Sequence, residues 1–205
     1  MCGALALHTF FKRNFIYLIA VRFPFKRMTS AEQFKNFFTA NQKVLGFLLR
    51  FAAIFGVCYF IFGISQGVRS GIIQPYTRLL ARAVAAIINI FGATATASEA
   101  VVQSPKFTIN IAMGCDGVEA TCLFLAGVLA FPTRWRARLI GLAAGIPLIQ
   151  LINIARLVGL YYAGIFLPSV VEEVHVYVAQ TIVILLSTAI LIYWLERVAN
   201  QHRPA

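Results

Sequence analysis

Residues 139–164 read LIGLAAGIPLIQLINIARLVGLYYAG, an apolar run of 26 residues in which Arg156 is the only charged side chain. A membrane-spanning helix needs about 20 mostly apolar residues, because the hydrocarbon core is roughly 30 Å thick and each helical residue rises about 1.5 Å. The run meets this requirement with residues to spare. It decides the fold class, because a chain built around such a segment needs lipid as its solvent.

Other apolar stretches lie on both sides of this run. Residues 44–64 and 174–195 are also long enough to span, whereas 118–131 is short for a span. Over the whole chain, 60% of the 205 residues are hydrophobic and 12% are charged, a balance that cannot cover the surface of a soluble domain. We therefore predict an all-α, polytopic transmembrane helix bundle with four spans.

The positive charges predict the orientation of these spans. The first 43 residues carry seven Lys or Arg against the single acid Glu32, residues 133–138 carry three arginines, and Arg197 and Arg203 follow the last span. Loops rich in Lys and Arg stay in the cytoplasm. Both termini and the 133–138 connection are therefore expected to be cytoplasmic, in a bacterial inner membrane.

This orientation leaves no net crossing for residues 72–97. Arg78, Arg82 and Asn89 recur there at helical spacing opposite an apolar face, so we expect an interfacial or re-entrant helix. A fifth span is the alternative. Just after it, residues 107–111 alternate between apolar and polar side chains, the period of a short half-buried strand, here on the extracytoplasmic side.

The expected domain organisation follows from these segments. Residues 1–43 form a basic cytoplasmic segment, 44–197 the transmembrane domain, and 198–205 a cytoplasmic tail. The leader has no cleavage site of small residues, which argues against a signal peptide. Met28 is an alternative start, because Ser30 is a good N-cap for a helix beginning there.

Several function classes are excluded by composition and spacing. The net charge of +11 lies at the ends of apolar spans and not on a mixed basic and aromatic surface, so we expect membrane lipid as a contact and no nucleic acid. The four cysteines form no CxxC pair and no ligand-like spacing. We therefore expect neither a metal nor a cofactor, and the sequence indicates no particular oligomeric state.

Cys115 lies in the segment Met-Gly-Cys-Asp-Gly-Val-Glu, residues 113–119, at the predicted outer entrance of a span. Gly114 and Gly117 flank it and allow a tight turn. A helix N-terminus favours a thiolate through its free N–H groups and its dipole. Asp116 and Glu119 oppose this effect when they are ionised.

Arg156 and His175 are predicted at the same depth as Cys115. Arg156 lies 18 residues beyond Arg138, about 27 Å along a helix, and His175 lies 20 residues before Leu195, about 30 Å. Each residue alone has an ordinary structural explanation as packing, a snorkelling arginine or a loop histidine. Together they are a nucleophile, an oxyanion stabiliser and a proton carrier.

These residues also carry a family resemblance. Gly-Cys-Asp-Gly-Val-Glu at 114–119 resembles the cysteine motif of the exosortases and archaeosortases. Asn153-Ile-Ala-Arg156 resembles their Asn-x-x-Arg motif, and His175 matches the histidine that heads their last core helix. Asp116 departs from the serine of many members. The short chain suggests a compact branch, such as the one associated with IPTL-type C-terminal sorting signals.

The resemblance implies a membrane-embedded cysteine protease or transpeptidase that cleaves exported proteins at a C-terminal signal of motif, transmembrane helix and basic tail. Cys115 would form a thioester, and Arg156 and His175 would share the tasks of stabilising the oxyanion and moving protons. The supporting residues would be Gly114, Asp116, Gly117, Glu119 and Asn153. The alternative is a small transporter or channel subunit with a polar site around Arg156.

Overall fold

The structure is a computed structural model that describes residues 41–200. The expected basic segment up to residue 40, the alternative start at Met28 and the end of the tail lie outside the described residues. The chain divides into units of residues 1–50 and 51–205. All packing described below is within the second unit.

The described chain is mostly helical. Helix α1 spans Gln42–Tyr59 and continues as a π-helical turn, Phe60–Ile64. The short α2 (Gln66–Val68) and a second π-helical turn (Arg69–Ile73) lead into α3, Gln74–Ile90. After a small sheet come α4 (Val118–Ala130), α5 (Trp135–Phe166), α6 (Val171–Glu173), a π-helical turn (Val174–Ala179) and α7 (Gln180–Asn200).

Within residues 41–200, three helices are long and apolar enough to cross a membrane: Gln42–Ile64, Trp135–Phe166 and Tyr177–Val198. They correspond to three of the four predicted spans, so the chain is a helical membrane protein. The predicted fourth span is a helix of only 13 residues, Val118–Ala130. By its own length it covers about 20 Å, less than the hydrocarbon core.

Residues 72–97 differ in part from the prediction of a single interfacial helix. The helix ends at Ile90, and Thr96–Ser98 is already a strand. The apolar residues of the predicted face include Leu79, Leu80, Val84 and Ile88. Of these, Leu80, Val84 and Ile88 are buried in α3, whereas Leu79 is 65% exposed. With 17 residues, α3 is not among the helices long enough to span.

Three short antiparallel strands form one sheet. They are β1 (Thr96–Ser98), β2 (Val101–Gln103) and β3 (Thr108–Asn110), in that spatial order. β3 lies within the predicted strand segment 107–111, and β1 and β2 were not predicted. A strand of three residues carries too little alternation to be recognised in a sequence.

Two apolar clusters hold the second unit together. The first joins α4, α5 and α7 and includes Phe124, Ile149 and Val183, all almost completely buried. The second joins α3, the sheet and the far part of α5, and it includes Cys115. The active-site candidate therefore lies where the helix bundle meets the α3 and sheet layer.

Candidate active site

Cys115 lies on a tight turn just before α4. Its N–H donates to the Ala112 carbonyl at 3.0 Å, and its side chain is only 5% exposed. Gly114 and Gly117 both have positive φ angles, +87° and +76°. At Gly117 a Cβ atom would also lie 2.9 Å from the Asn153 Nδ2, so glycine is required there by conformation and by space.

The structure brings the three predicted reactive groups together. The Cys115 Sγ lies 2.7 Å from the His175 Nε2 and 3.5 Å from a terminal guanidinium nitrogen of Arg156. These residues come from the turn before α4, from α5 and from the π-helical turn Val174–Ala179. The equal depths predicted from helical rise correspond here to direct contacts.

Arg156 is held in place by the cysteine turn itself. One terminal nitrogen donates to the Gly114 carbonyl and to the Asn153 Oδ1, each at 3.3 Å. The Nε is buried and has no hydrogen-bond partner among the described residues. The other terminal nitrogen is the guanidinium donor that lies next to the thiol, 3.5 Å from the Sγ.

Asn153 joins α5 to the cysteine turn. It is fully buried, and its Nδ2 donates to the Cys115 carbonyl at 3.1 Å. Because its Oδ1 accepts from Arg156, the amide fixes both the turn and the guanidinium. The Asn-x-x-Arg spacing places the two side chains one helical turn apart, on the same face of α5.

Burial dominates the electrostatics of the thiol. It raises the pKa of Cys115 above its ordinary value, Arg156 lowers the pKa, and Asp116 and Glu119 raise it further. The net direction is opposite to the one that a helix N-terminus favours. The helix begins only at Val118, whose N–H donates to the Asp116 Oδ1 at 3.0 Å and not to the sulfur.

The two predicted acidic residues have different surroundings. Asp116 is 4% exposed, and burial raises the pKa of its carboxyl, while the Val118 N–H, Arg69 and Arg156 lower it. Glu119 accepts a hydrogen bond from the Gln180 Nε2 at 3.4 Å, so it connects α4 to the start of α7. Glu119 therefore lies at the edge of the candidate site.

Three further residues support the cysteine turn and were not predicted. The Tyr76 hydroxyl lies 2.9 Å from the Asp116 carbonyl and also contacts the Gln150 Oε1. The Gln150 Nε2 donates to the Thr121 Oγ1 at 2.8 Å, and Thr121 donates to the Gly117 carbonyl at 2.9 Å. Burial raises the pKa of Tyr76, so its hydroxyl stays protonated and able to donate.

A sequence signal existed for one of these three residues. Gln150 lies in the apolar run one turn before Asn153, and a polar side chain within a span usually faces a partner. Tyr76 has no such signal, because its contact with Asp116 joins residues 40 positions apart.

A shallow, open cleft lies beside the cysteine turn. It lies between the end of α1 and the start of α4, and Asp116 and Glu119 contribute two carboxyl groups to an otherwise mostly apolar lining. The apolar residues are Tyr59, Phe62, Met113 and Val118. Among the described residues, no group of three His, Cys, Asp or Glu side chains is arranged to hold a metal ion.

The profile of the transmembrane exosortase family matches residues 38–194, which is most of the chain. The chain belongs to the exosortase family. Cys115, Arg156 and His175 all lie inside the matched region, as do the sheet and α3. No curated protein and no solved structure matches the chain.

Membership of the exosortases confirms the resemblance drawn from the three motifs, and it indicates a membrane transpeptidase in general terms. It does not distinguish the IPTL branch from others. The arrangement can supply a nucleophile, a proton acceptor and a fixed cation, because the Cys115 thiol contacts both the His175 imidazole and the Arg156 guanidinium.

Proposed function

We propose that this exosortase is a cysteine transpeptidase that cleaves exported proteins next to a C-terminal transmembrane helix. The observation that carries the proposal is the 2.7 Å contact between the Cys115 Sγ and the His175 Nε2, with a terminal nitrogen of Arg156 3.5 Å from the same sulfur. Burial keeps the thiol protonated at neutral pH, so a neighbouring base is needed to activate it. No observation favours a transporter or channel subunit.

His175 is the proton carrier in this mechanism. A guanidinium stays protonated in proteins and cannot accept the thiol proton, whereas a neutral imidazole can. The S–H donates to the His175 Nε2, and the proton moves to this nitrogen as the sulfur attacks the scissile carbonyl carbon. The imidazolium then donates the proton to the departing amine as the C–N bond breaks.

Arg156 stabilises the oxyanion. Its terminal nitrogen next to the sulfur is a charged donor, and Asn153 and Gly114 hold the guanidinium in a fixed orientation. Fixed donors are effective because they need no reorganisation when the negative charge develops. The product is a Cys115 thioester, which water or an amine on an acceptor molecule resolves.

The substrate class follows from the setting of the site. A substrate anchored by its own helix presents the segment just outside that helix at the membrane surface, and this lowers the entropic cost of productive encounter. We propose that the substrates are exported proteins that end in a short motif, a transmembrane helix and a basic tail. We propose that the motif is of the IPTL type. The site faces the periplasm and both termini lie in the cytoplasm, in the inner membrane.

The test is co-expression with an exported reporter protein that ends in such a motif, helix and basic tail. We expect release of the reporter from its tail only when the exosortase is present. A reporter that stays intact with every motif offered, including the IPTL type, contradicts the proposal.

Topology is tested separately with fusions. A periplasm-active reporter enzyme joined after Asn110 is expected to be active, and one joined after Arg136 inactive. The reverse result would put Cys115 on the cytoplasmic side and exclude exported proteins as substrates.

A further inference from the structure

We propose that the free edge of strand β3 binds the extended substrate segment before the scissile bond as an additional parallel strand. This binding mode rests on the proposed function and adds the surface that guides the peptide to Cys115. The surface consists of the outward backbone groups of Thr108 and Asn110. Both residues are exposed.

The register shows which backbone groups are free. Ile111 donates to the Ala100 carbonyl at 2.8 Å, and Ser104 donates to the Phe107 carbonyl at 3.2 Å. In an antiparallel pair these hydrogen-bonded positions alternate with positions whose N–H and C=O point away from the partner. The polar backbone groups of Thr108 and Asn110 therefore point away from β2.

No strand pairs with this outer edge of β3 in the described part of the chain. The Asn110 carbonyl accepts from the Ala112 N–H at 3.0 Å. The outward groups that remain available to pair with another strand are the Thr108 N–H, the Thr108 C=O and the Asn110 N–H. An unpaired row of this kind is a template for another extended chain. The side chains do not block it, because Ile109 is the buried member and points into the core.

The position of β3 along α5 connects this edge to the site. Phe107, at the start of the strand, packs so closely on Gly164 that a Cβ there would lie 2.3 Å from its ring. Cys115 contacts Arg156, eight residues and about 12 Å earlier on α5. The strand therefore leads from the far end of α5 toward the thiol.

This geometry sets the direction of the bound peptide. A substrate chain that arrives from the exported domain runs toward Cys115, in the same direction as β3, before its own helix enters the membrane. Two turns after β3, closed by the Ala112 and Cys115 N–H groups, bring the chain from the strand to the sulfur. Backbone pairing would hold the peptide extended without requiring particular side chains at each position.

Proline substitution at the two sheet edges tests the proposal. Thr108→Pro removes an outward N–H and fills the space beside it, but leaves the Ile109 pairing with Val102 in place. Ala97→Pro is the control at the opposite edge, in β1, where the Ala97 backbone points outward. Its side chain packs on the cluster that includes Cys115, so alkylation of Cys115 checks that the site stays intact in both variants.

We expect Thr108→Pro to slow processing of the co-expressed reporter by about tenfold or more, and Ala97→Pro to change it less than about twofold. Alkylation of Cys115 by iodoacetamide should stay the same in both variants. Equal effects of the two prolines on processing, or no effect of Thr108→Pro, would overturn the proposal.

A photo-crosslinking amino acid at position 108 or 110 tests it without relying on the fold of a proline variant. We expect both positions to capture the reporter upstream of the cleavage site, with position 110 attaching closer to that site than position 108. Attachment in the opposite order, or to a second copy of the exosortase, would overturn it. If the wild-type protein cleaves no reporter, the proposed function fails; if it cleaves but the crosslinks are absent, only the edge is wrong.

Discussion

Cys115 and Cys122 lie seven positions apart and are equally buried, with 5% and 4% exposure, yet their surroundings differ in kind. Cys115 contacts an imidazole and a guanidinium, whereas the Cys122 thiol meets the thiol of Cys58 on α1. All three thiols are free. Burial alone therefore does not distinguish the proposed nucleophile from Cys122, whereas the imidazole and the guanidinium beside Cys115 do.

The largest expected effect separates these two cysteines directly. Cys115→Ala should abolish processing of the co-expressed reporter, because no nucleophile remains to form the thioester. Cys122→Ala is the control of equal size and similar burial, and it should retain activity within about twofold, since the Cys122 thiol contacts Cys58 and is not part of the Cys115, His175 and Arg156 contacts. Both variants should accumulate in the membrane fraction. Full processing by Cys115→Ala would show that Cys115 is not the nucleophile.

The next effect concerns the cation beside Cys115. Arg156→Gln should slow processing by about 10²–10³-fold, the usual loss when one oxyanion donor is removed. Arg156→Lys keeps the charge but not the fork of donors, and it should recover only part of the rate. A rate of Arg156→Gln close to that of the wild type would show that the oxyanion is stabilised elsewhere. Immunoblots of the reporter over time give the rates.

The pH dependence of Cys115 is a smaller effect with a definite sign. Because burial raises the pKa of the thiol, its alkylation by iodoacetamide should rise over a higher pH range than that of an exposed cysteine, which is half ionised at about pH 8.5. Asp116 also raises this pKa, so Asp116→Asn should shift the curve to lower pH and speed alkylation at pH 8.

Glu119→Gln is the matched variant in this experiment, and it should shift the curve less than Asp116→Asn because the Glu119 contribution is the smaller one. The protein would carry alanine at the other three cysteines, and mass spectrometry would measure modified Cys115. A curve that levels off below pH 8 would contradict the raised pKa.

The smallest expected effect tests the support beneath the cysteine turn. Tyr76→Phe removes the hydroxyl next to the Asp116 carbonyl and should slow processing by about twofold to tenfold, the range of one net hydrogen bond. Tyr162→Phe is the control, since the Tyr162 hydroxyl has no hydrogen-bond partner among the described residues. Equal rates for the wild type and Tyr76→Phe would show that Gln150 and Thr121 suffice.

Much of this architecture could be predicted because it depends on local features. Apolar length predicts the spans that contain Leu139 and Val183, and motif spacing identifies Cys115, Arg156 and His175 as candidates. The contact between the Cys115 and His175 side chains joins residues 60 positions apart. Helical rise predicts only a shared depth for such residues, and tertiary packing decides whether they touch.

The unpredicted parts are those that depend on long-range contacts or on short segments. β1 and β2 are three residues each and owe their pairing to a hairpin packed on α3. Tyr76 reaches the cysteine turn from another helix. The direction of the Cys115 pKa shift also depends on burial, which exists only in the folded bundle.

Helix α5 extends over 32 residues, about 48 Å, and so exceeds the roughly 30 Å hydrocarbon core. In the proposed topology Arg156 lies 21 residues from the cytoplasmic start of the helix, at the boundary between acyl chains and headgroups. The thickness of the bilayer then sets the distance between the cytoplasmic end of a substrate helix and the bond that is cleaved. Lengthening the hydrophobic helix of a substrate by four residues would move its cleavable bond about 6 Å past the thiol, so this enzyme would select substrates by the span of their anchor as well as by their motif.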